Sequence, residues 1–180
     1  SRTLSEVIDL LEQADDLVED GSLVQARDLL DSAIALDGRN ETAPANRAKV
    51  AAMIREREFS SIMSAGYTAL EGGDPDAAIA EFEKAASMGI NQNQALAAIT
   101  QTENEIANAE INVLRQTIDL AEKAEQWQAA ADNYDEVLAI DSNLSFAING
   151  KDYAVKRERL NSLLLSANSN PERLAEDDVY

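Results

Sequence analysis

The sequence predicts an all-α fold, a right-handed array of helical hairpins whose first helices are elongated. The 180 residues repeat with a period of 52, so that residues of like character align in three units. A small residue followed four positions later by a larger one recurs as Ala26 and Leu30, Ala78 and Phe82, and Ala130 and Tyr134. Long stretches without proline precede the second and third of these pairs, which favours long helices there.

The second helix of each hairpin is short and begins at a capping signal. In the middle unit Asp74 is suited to the N-cap, and Pro75 to the first helical position, where its missing N–H costs nothing. Ser22 is the corresponding cap in the first unit. Ala78 and Phe82 share one face of the helix that follows. We expect Ala78 to fill the crossing of the two helices and Phe82 to reach the neighbouring unit.

The first helices of the second and third units are longer than their partners. Residues 45–70 and 94–124 contain no proline and one glycine, Gly66. A helix of about thirty residues reaches about 45 Å, so it projects beyond a shorter partner. The predicted organisation is three helix pairs at about 3–38, 42–90 and 92–141, a capping helix at 144–167, and an irregular or linker tail at 168–180.

The middle unit resembles the tetratricopeptide repeat (TPR) family. The residues that carry the resemblance are Gly66, Ala78, Phe82 and Ala85, with Gly73 and Asp74 in the turn between the helices. That family repeats every 34 residues, whereas this chain repeats every 52, an excess of 18. Eighteen residues are five helical turns, so a first helix can lengthen without rotating its packing face. The resemblance implies a TPR-like α-solenoid that acts as a protein–protein interaction scaffold.

Charge excludes several classes of partner. The chain has 15 basic and 34 acidic residues, a formal net charge of -19, which repels nucleic acids and anionic membrane surfaces. No apolar run is long enough to span a membrane, so we expect no direct membrane insertion by this segment. Because the chain opens at Ser1 without methionine, we interpret it as an excised segment. Its location stays open between the periplasmic part of a bacterial envelope protein and the cytoplasm.

The residue inventory argues against catalysis. The chain has no histidine and no cysteine, which removes the commonest general base, the thiol nucleophile and nearly every zinc site. We therefore predict no enzyme activity, no catalytic residue, no cofactor and no metal. Three functional hypotheses stay open: a scaffold that binds other proteins, a structural spacer or self-association module built on the long helix extensions, and an enzyme that uses only Asp, Glu, Lys and Tyr.

The resemblance also implies a binding groove along the inner face of the first helices. Its positions are Ile8, Leu11, Asp15 and Val18 in the first unit, Ser60, Met63, Tyr67 and Leu70 in the second, and Asn112, Arg115, Asp119 and Glu122 in the third. Some TPR proteins clamp an acidic C-terminus with lysines and asparagines, but Asp15, Tyr67 and Asp119 stand at those places. The predicted partner is therefore a protein or peptide with apolar and basic residues, and a homo-oligomer is also possible.

Overall fold

The computed structural model describes residues 2–169, which form seven α-helices and no strand. In chain order the helices are α1 (Arg2–Glu19), α2 (Leu23–Leu36), α3 (Thr42–Glu71), α4 (Pro75–Ser87), α5 (Gln92–Lys123), α6 (Trp127–Ile140) and α7 (Ser145–Ser169). The predicted all-α class is confirmed. Helix α7 continues two residues beyond the predicted end of the capping helix, and residues 170–180 of the predicted tail lie outside the described residues.

The chain divides into two compact units, and the division lies within α5. The first unit ends at Thr102 and the second begins at Glu103. The first therefore contains α1 to α4 and the start of α5, and the second contains the rest of α5 with α6 and α7. Each unit has its own buried apolar clusters. The grouping into three pairs and a cap stays a prediction.

The α1–α2, α3–α4 and α5–α6 turns share one backbone feature at the predicted period. Gly21 and Gly73 both have φ of 78°, and Glu125, 52 residues after Gly73, has φ of 56°. Glycine adopts this left-handed conformation without steric cost, whereas a residue with a Cβ atom is strained there. The third turn thus reproduces the geometry of the other two although its sequence lacks the glycine.

The helix starts follow the capping signals in part. The carboxylate of Asp74 accepts a hydrogen bond from the backbone N–H of Ala77 (3.0 Å), and Pro75 is the first residue of α4, as predicted. Ser22 occupies the N-cap position of α2, but its side chain makes no capping hydrogen bond. The position of this predicted cap is therefore right, whereas the bond expected from it is absent.

Helix α3 is long because its two halves pack against different helices of the first unit. In its N-terminal half, Ala43 and Val50 belong to apolar clusters formed with α1 and α2. In its C-terminal half, Phe59 and Met63 belong to the cluster formed with α4 and the start of α5. The 30 residues of α3 therefore serve two consecutive helix pairs, and this double role explains why the period is longer than one helix hairpin requires.

Polar side chains fix the middle of α3 between these two packing regions. Arg57 Nη1 donates to the carbonyl of Gly21 in the α1–α2 turn (2.8 Å). Arg55 Nη2 donates to the carbonyl of Met88 after α4 (2.8 Å). Both bonds join positions more than thirty residues apart in sequence, so they set the register of α3 against the two turns.

Phe82 packs closely against the preceding helix, α3. Its ring lies so close to Gly66 of α3 that a Cβ atom added there would fall inside van der Waals contact. The ring of Tyr67 meets it edge-on, with 5.1 Å between centroids. The sequence predicts that Phe82 reaches the neighbouring unit; besides its contact with α3, Phe82 shares a buried cluster with Ala95 and Ala98 of α5.

The second unit is built around α6. Ile118 and Ala121 of α5 form one cluster with Ala130 of α6 and Ala154 of α7. Trp127, at the start of α6, is 8% exposed and meets Tyr153 of α7 edge-on at 5.6 Å between ring centroids. The N-terminal half of α7 therefore packs on α6, in the way that the N-terminal half of α3 packs on α2.

Candidate protein-binding surface

The strongest candidate surface is an open groove along the C-terminal half of α3, of about 520 Å³. It is lined by Glu56, Phe59, Ser60, Met63, Ser64, Tyr67, Thr68, Glu71 and Gln94. Eight of these nine residues lie on α3, at spacings of three and four that keep them on one side of the helix. Three of the four groove positions predicted for the middle unit, Ser60, Met63 and Tyr67, are among them.

The floor of the groove is apolar and its sides are partly polar. Phe59 and Met63 are 2% and 3% exposed, so they present little surface to a partner and mainly support the groove from below. Tyr67 is 46% exposed while its ring packs on Phe82. An aromatic ring that is both fixed and accessible is a typical anchor for a partner's side chain. The predicted residue Leu70 is half-buried against the same cluster and does not line the groove.

Carboxylates stand at both ends of the groove. Glu56 and Glu71 are fifteen residues apart on α3, which corresponds to about 22 Å along the helix axis. The Glu56 carboxylate is oriented by the side-chain amide of Asn91, which donates to Oε1 at 2.7 Å. No lysine or arginine lines the groove. The electrostatic potential there therefore favours a partner with basic groups at its two ends.

The predicted positions on α1 are not equally available. Leu11 and Val18 are half-buried against the clusters formed with α2, so they contribute mainly to the core. Asp15 and Ile8 are exposed. The accessible positions of this predicted surface are therefore Ile8 and Asp15.

The predicted positions on α5 are engaged by other side chains of the second unit. The Arg115 guanidinium lies over the ring of Phe146, with 3.9 Å from Cζ to the centroid. Asp119 forms an ion pair with Lys123. Glu122 accepts a hydrogen bond from the hydroxyl of Tyr134 (3.0 Å). A partner that used Arg115 or Glu122 would have to displace contacts that α5 makes with α7 or α6. One that used Asp119 would compete with Lys123 of the same helix.

The bond to Glu122 affects the titration of Tyr134. Burial of the phenol raises its pKa, and the hydrogen bond to the Glu122 carboxylate adds to this effect, so that the pKa rises to about 12. Both causes favour the protonated hydroxyl. Tyr134 is thus a neutral hydrogen-bond donor across the physiological range, and it fixes Glu122 in place.

Several residues of the groove were not predicted from the sequence. Glu56 and Glu71 continue the stripe of Ser60, Met63 and Tyr67 by one turn in each direction, so the helical spacing could have identified them. Gln94 belongs to α5 and reaches the groove through the fold alone. Its participation has no signal in the local sequence.

Neither metal-binding clusters nor membrane spans occur in the described part of the chain. Within residues 2–169, no group of three His, Cys, Asp or Glu side chains is arranged to hold a metal ion. No helix in that range is both long and apolar enough to cross a membrane.

Comparison with known proteins supplies no identity. No family model matches the sequence, and neither a curated protein nor a solved structure is significantly similar to it.

Proposed function

We propose that this chain is a non-catalytic, TPR-like α-solenoid scaffold that binds a basic, amphipathic segment of another protein in the α3 groove. The groove itself carries the proposal. It combines a buried apolar floor, one fixed and accessible aromatic ring, and a carboxylate at each end. An apolar side chain of the partner would pack on Tyr67, and its basic groups would pair with Glu56 and Glu71.

The chemistry of the chain supports binding in preference to catalysis. There is no histidine or cysteine in the 180 residues, and the groove holds carboxylates, hydroxyls and one amide without a basic group beside them. Two of those hydroxyls lie on successive turns of α3, and Thr68 donates to the backbone carbonyl of Ser64 (2.9 Å). Such groups recognise a partner by hydrogen bonding and charge, which is the ordinary work of a scaffold surface.

The proposed binding site can be tested by placing a positive charge in the groove, where it would repel a basic peptide. Ser64→Arg places a long cationic side chain inside the groove, whereas Ser61→Arg places the same side chain on the same helix outside it; both serines are exposed. We expect Ser64→Arg to weaken binding of a basic amphipathic peptide by about tenfold or more, equivalent to about 1.4 kcal/mol, measured by isothermal titration calorimetry.

A control variant and a control peptide show whether the effect is specific to the groove. Ser61→Arg should bind the basic peptide within about twofold of the wild type, because its charge is exposed and screened. An acidic C-terminal peptide should bind more weakly than the basic one. Equal binding by the two arginine variants, or a preference for the acidic peptide, would rule out the α3 groove as the binding site.

A further inference from the structure

The first and last helices, α1 and α7, expose apolar residues at repeat positions where α3 and α5 carry polar ones. One such position holds Leu4 in α1, Glu56 in α3, Asn108 in α5 and Leu160 in α7. The next turn holds Ile8, Ser60, Asn112 and Leu164 at the equivalent places. The four apolar residues are between 46% and 59% exposed. At these two repeat positions, exposed apolar residues at the first and last helices are the reverse of the polar surface that capping helices present to water.

The same two helices carry opposite charges. Helix α1 has six carboxylates against one arginine, a net charge of -5. Helix α7 has four basic residues against two acidic ones, a net charge of +2, and Lys156, Arg157 and Arg159 lie directly before Leu160. Apolar stripes flanked by opposite charges are complementary surfaces.

A small cavity on α7 adds a second feature that fits such a partner. It has a volume of about 120 Å³ and is lined by Glu125, Trp127, Arg157, Leu160, Asn161 and Leu164. The Arg157 guanidinium lies over the ring of Trp127, with 4.9 Å from Cζ to the centroid. Its Nε is buried and has no hydrogen-bond partner within the described residues. A carboxylate brought to this place would supply the missing acceptor.

From these observations we infer that α7 of one molecule docks antiparallel on α1 of a second copy of this chain. The antiparallel direction follows from the charges. It sets Leu4 opposite Leu164 and Ile8 opposite Leu160, and the next turn then places Asp9 and Glu12 of α1 beside Arg159 and Lys156. In the parallel direction the same carboxylates would lie beyond Leu164, where α7 has no basic residue.

Such an interface is heterologous, since each copy offers α1 to one neighbour and α7 to another. It uses neither Tyr67 nor the α3 groove, so it stands or falls independently of the proposed peptide binding. Each added copy leaves a free α1 and a free α7, unless the assembly closes into a ring. The mass of the wild-type chain should therefore rise with concentration from 19.5 kDa to beyond that of a dimer.

Two double variants test the pairing by giving each end helix the residues that α5 has at the same positions. One combines Leu4→Asn with Ile8→Asn, and the other combines Leu160→Asn with Leu164→Asn. In analytical ultracentrifugation each variant alone should be monomeric at concentrations where the wild type associates. A 1:1 mixture should form a dimer and nothing larger, because one intact α1 and one intact α7 are present.

Controls separate this arrangement from its rivals. Val113→Asn with Leu120→Asn removes two apolar residues of α5 that are 62% and 67% exposed, and it should associate like the wild type. A monomeric wild type at near-millimolar concentration would overturn the inference. So would continued dimerisation of the α1 variant alone, which would show that α7 pairs with α7. Circular dichroism checks that every variant is folded.

Discussion

Phe82 and Tyr134 occupy the same position of the repeat, yet their rings pack in opposite directions along the chain. Phe82 lies over Gly66, sixteen residues before it, on the preceding helix α3. Tyr134 lies over Gly150, sixteen residues after it, on the following helix α7. In both places a Cβ atom on the glycine would fall inside van der Waals contact with the ring.

The difference shows that the repeat determines where an aromatic ring is needed but not which neighbour accommodates it. In the third repeat Ile118 replaces the glycine equivalent to Gly66, so the preceding helix offers no space. In the second repeat Ala98 stands where Gly150 is expected, so the following helix offers less. A second helix lies between two first helices, and a glycine on either of them can receive the ring.

The largest effect should come from removing a ring. Phe82 is fully buried, and Phe82→Ala should lower the free energy of unfolding by about 3 to 5 kcal/mol, since it deletes apolar contacts and leaves a cavity beside Gly66. Urea unfolding followed by circular dichroism measures the loss. Glu83→Ala, on the exposed side of the same helix, should change stability by less than about 0.5 kcal/mol. Comparable effects of the two substitutions would mean that the packing face of α4 is misassigned.

Much of the fold could be predicted because its signals are local. Asp74 and Pro75 mark the start of α4 by capping chemistry, which depends only on neighbouring residues. The bounds expected for α3 and α5 from proline-free stretches differ from the observed ones by one to three residues. The double role of α3 was not predicted, because the contacts of Val50 and Phe59 with different helices depend on the fold as a whole.

The candidate site was predictable to a smaller extent. Ser60, Met63 and Tyr67 follow from helical spacing and do line the groove, but spacing could not tell that Met63 is buried and Tyr67 exposed. On α5, the contacts that occupy Arg115 and Glu122 come from Phe146 and Tyr134. Those partners lie more than ten residues away along the chain, so the sequence pattern of α5 alone carries no sign of them.

An intermediate effect should come from substituting the two glycines that the rings face, Gly66 and Gly150. Gly66→Ala and Gly150→Ala should each lower the free energy of unfolding by about 1 to 3 kcal/mol, because the new Cβ would lie 2.4 Å from the Phe82 ring or 2.1 Å from the Tyr134 ring. The preference of helices for alanine, about 1 kcal/mol, works in the opposite direction and keeps the loss in this range. Urea unfolding measures both, with Trp127 fluorescence as the probe for Gly150→Ala in the same compact unit.

Shrinking the ring should restore part of the loss. Gly66→Ala combined with Phe82→Leu should cost less than the sum of the two single substitutions, since the smaller side chain makes room for the methyl group. Gly38→Ala is the matched control: its new Cβ would meet only the backbone oxygen of Ile34, at 4.0 Å, so stability should hardly change. Strict additivity at Gly66 and Phe82 would show that the ring does not fill this space.

The smallest effect should come from removing the hydroxyl of Tyr134, the one group that distinguishes this ring from that of Phe82. Tyr134→Phe removes its hydrogen bond to Glu122 and should cost about 1 kcal/mol at neutral pH. The pKa of Tyr134 is about 12 in the folded chain, above the value of about 10 for an unfolded tyrosine. Because the pKa is higher in the folded chain, the protonated hydroxyl stabilises the fold at pH values below the unfolded pKa. This stabilisation is lost as the pH rises from about 10 to 12. The stability difference between wild type and Tyr134→Phe should therefore shrink over that interval in urea unfolding monitored by Trp127 fluorescence.

Glu122→Gln, which keeps an acceptor but removes the charge, should flatten the pH dependence. A difference that stays constant from about pH 9 to 12 would show that the hydroxyl is not held in its protonated form by this site.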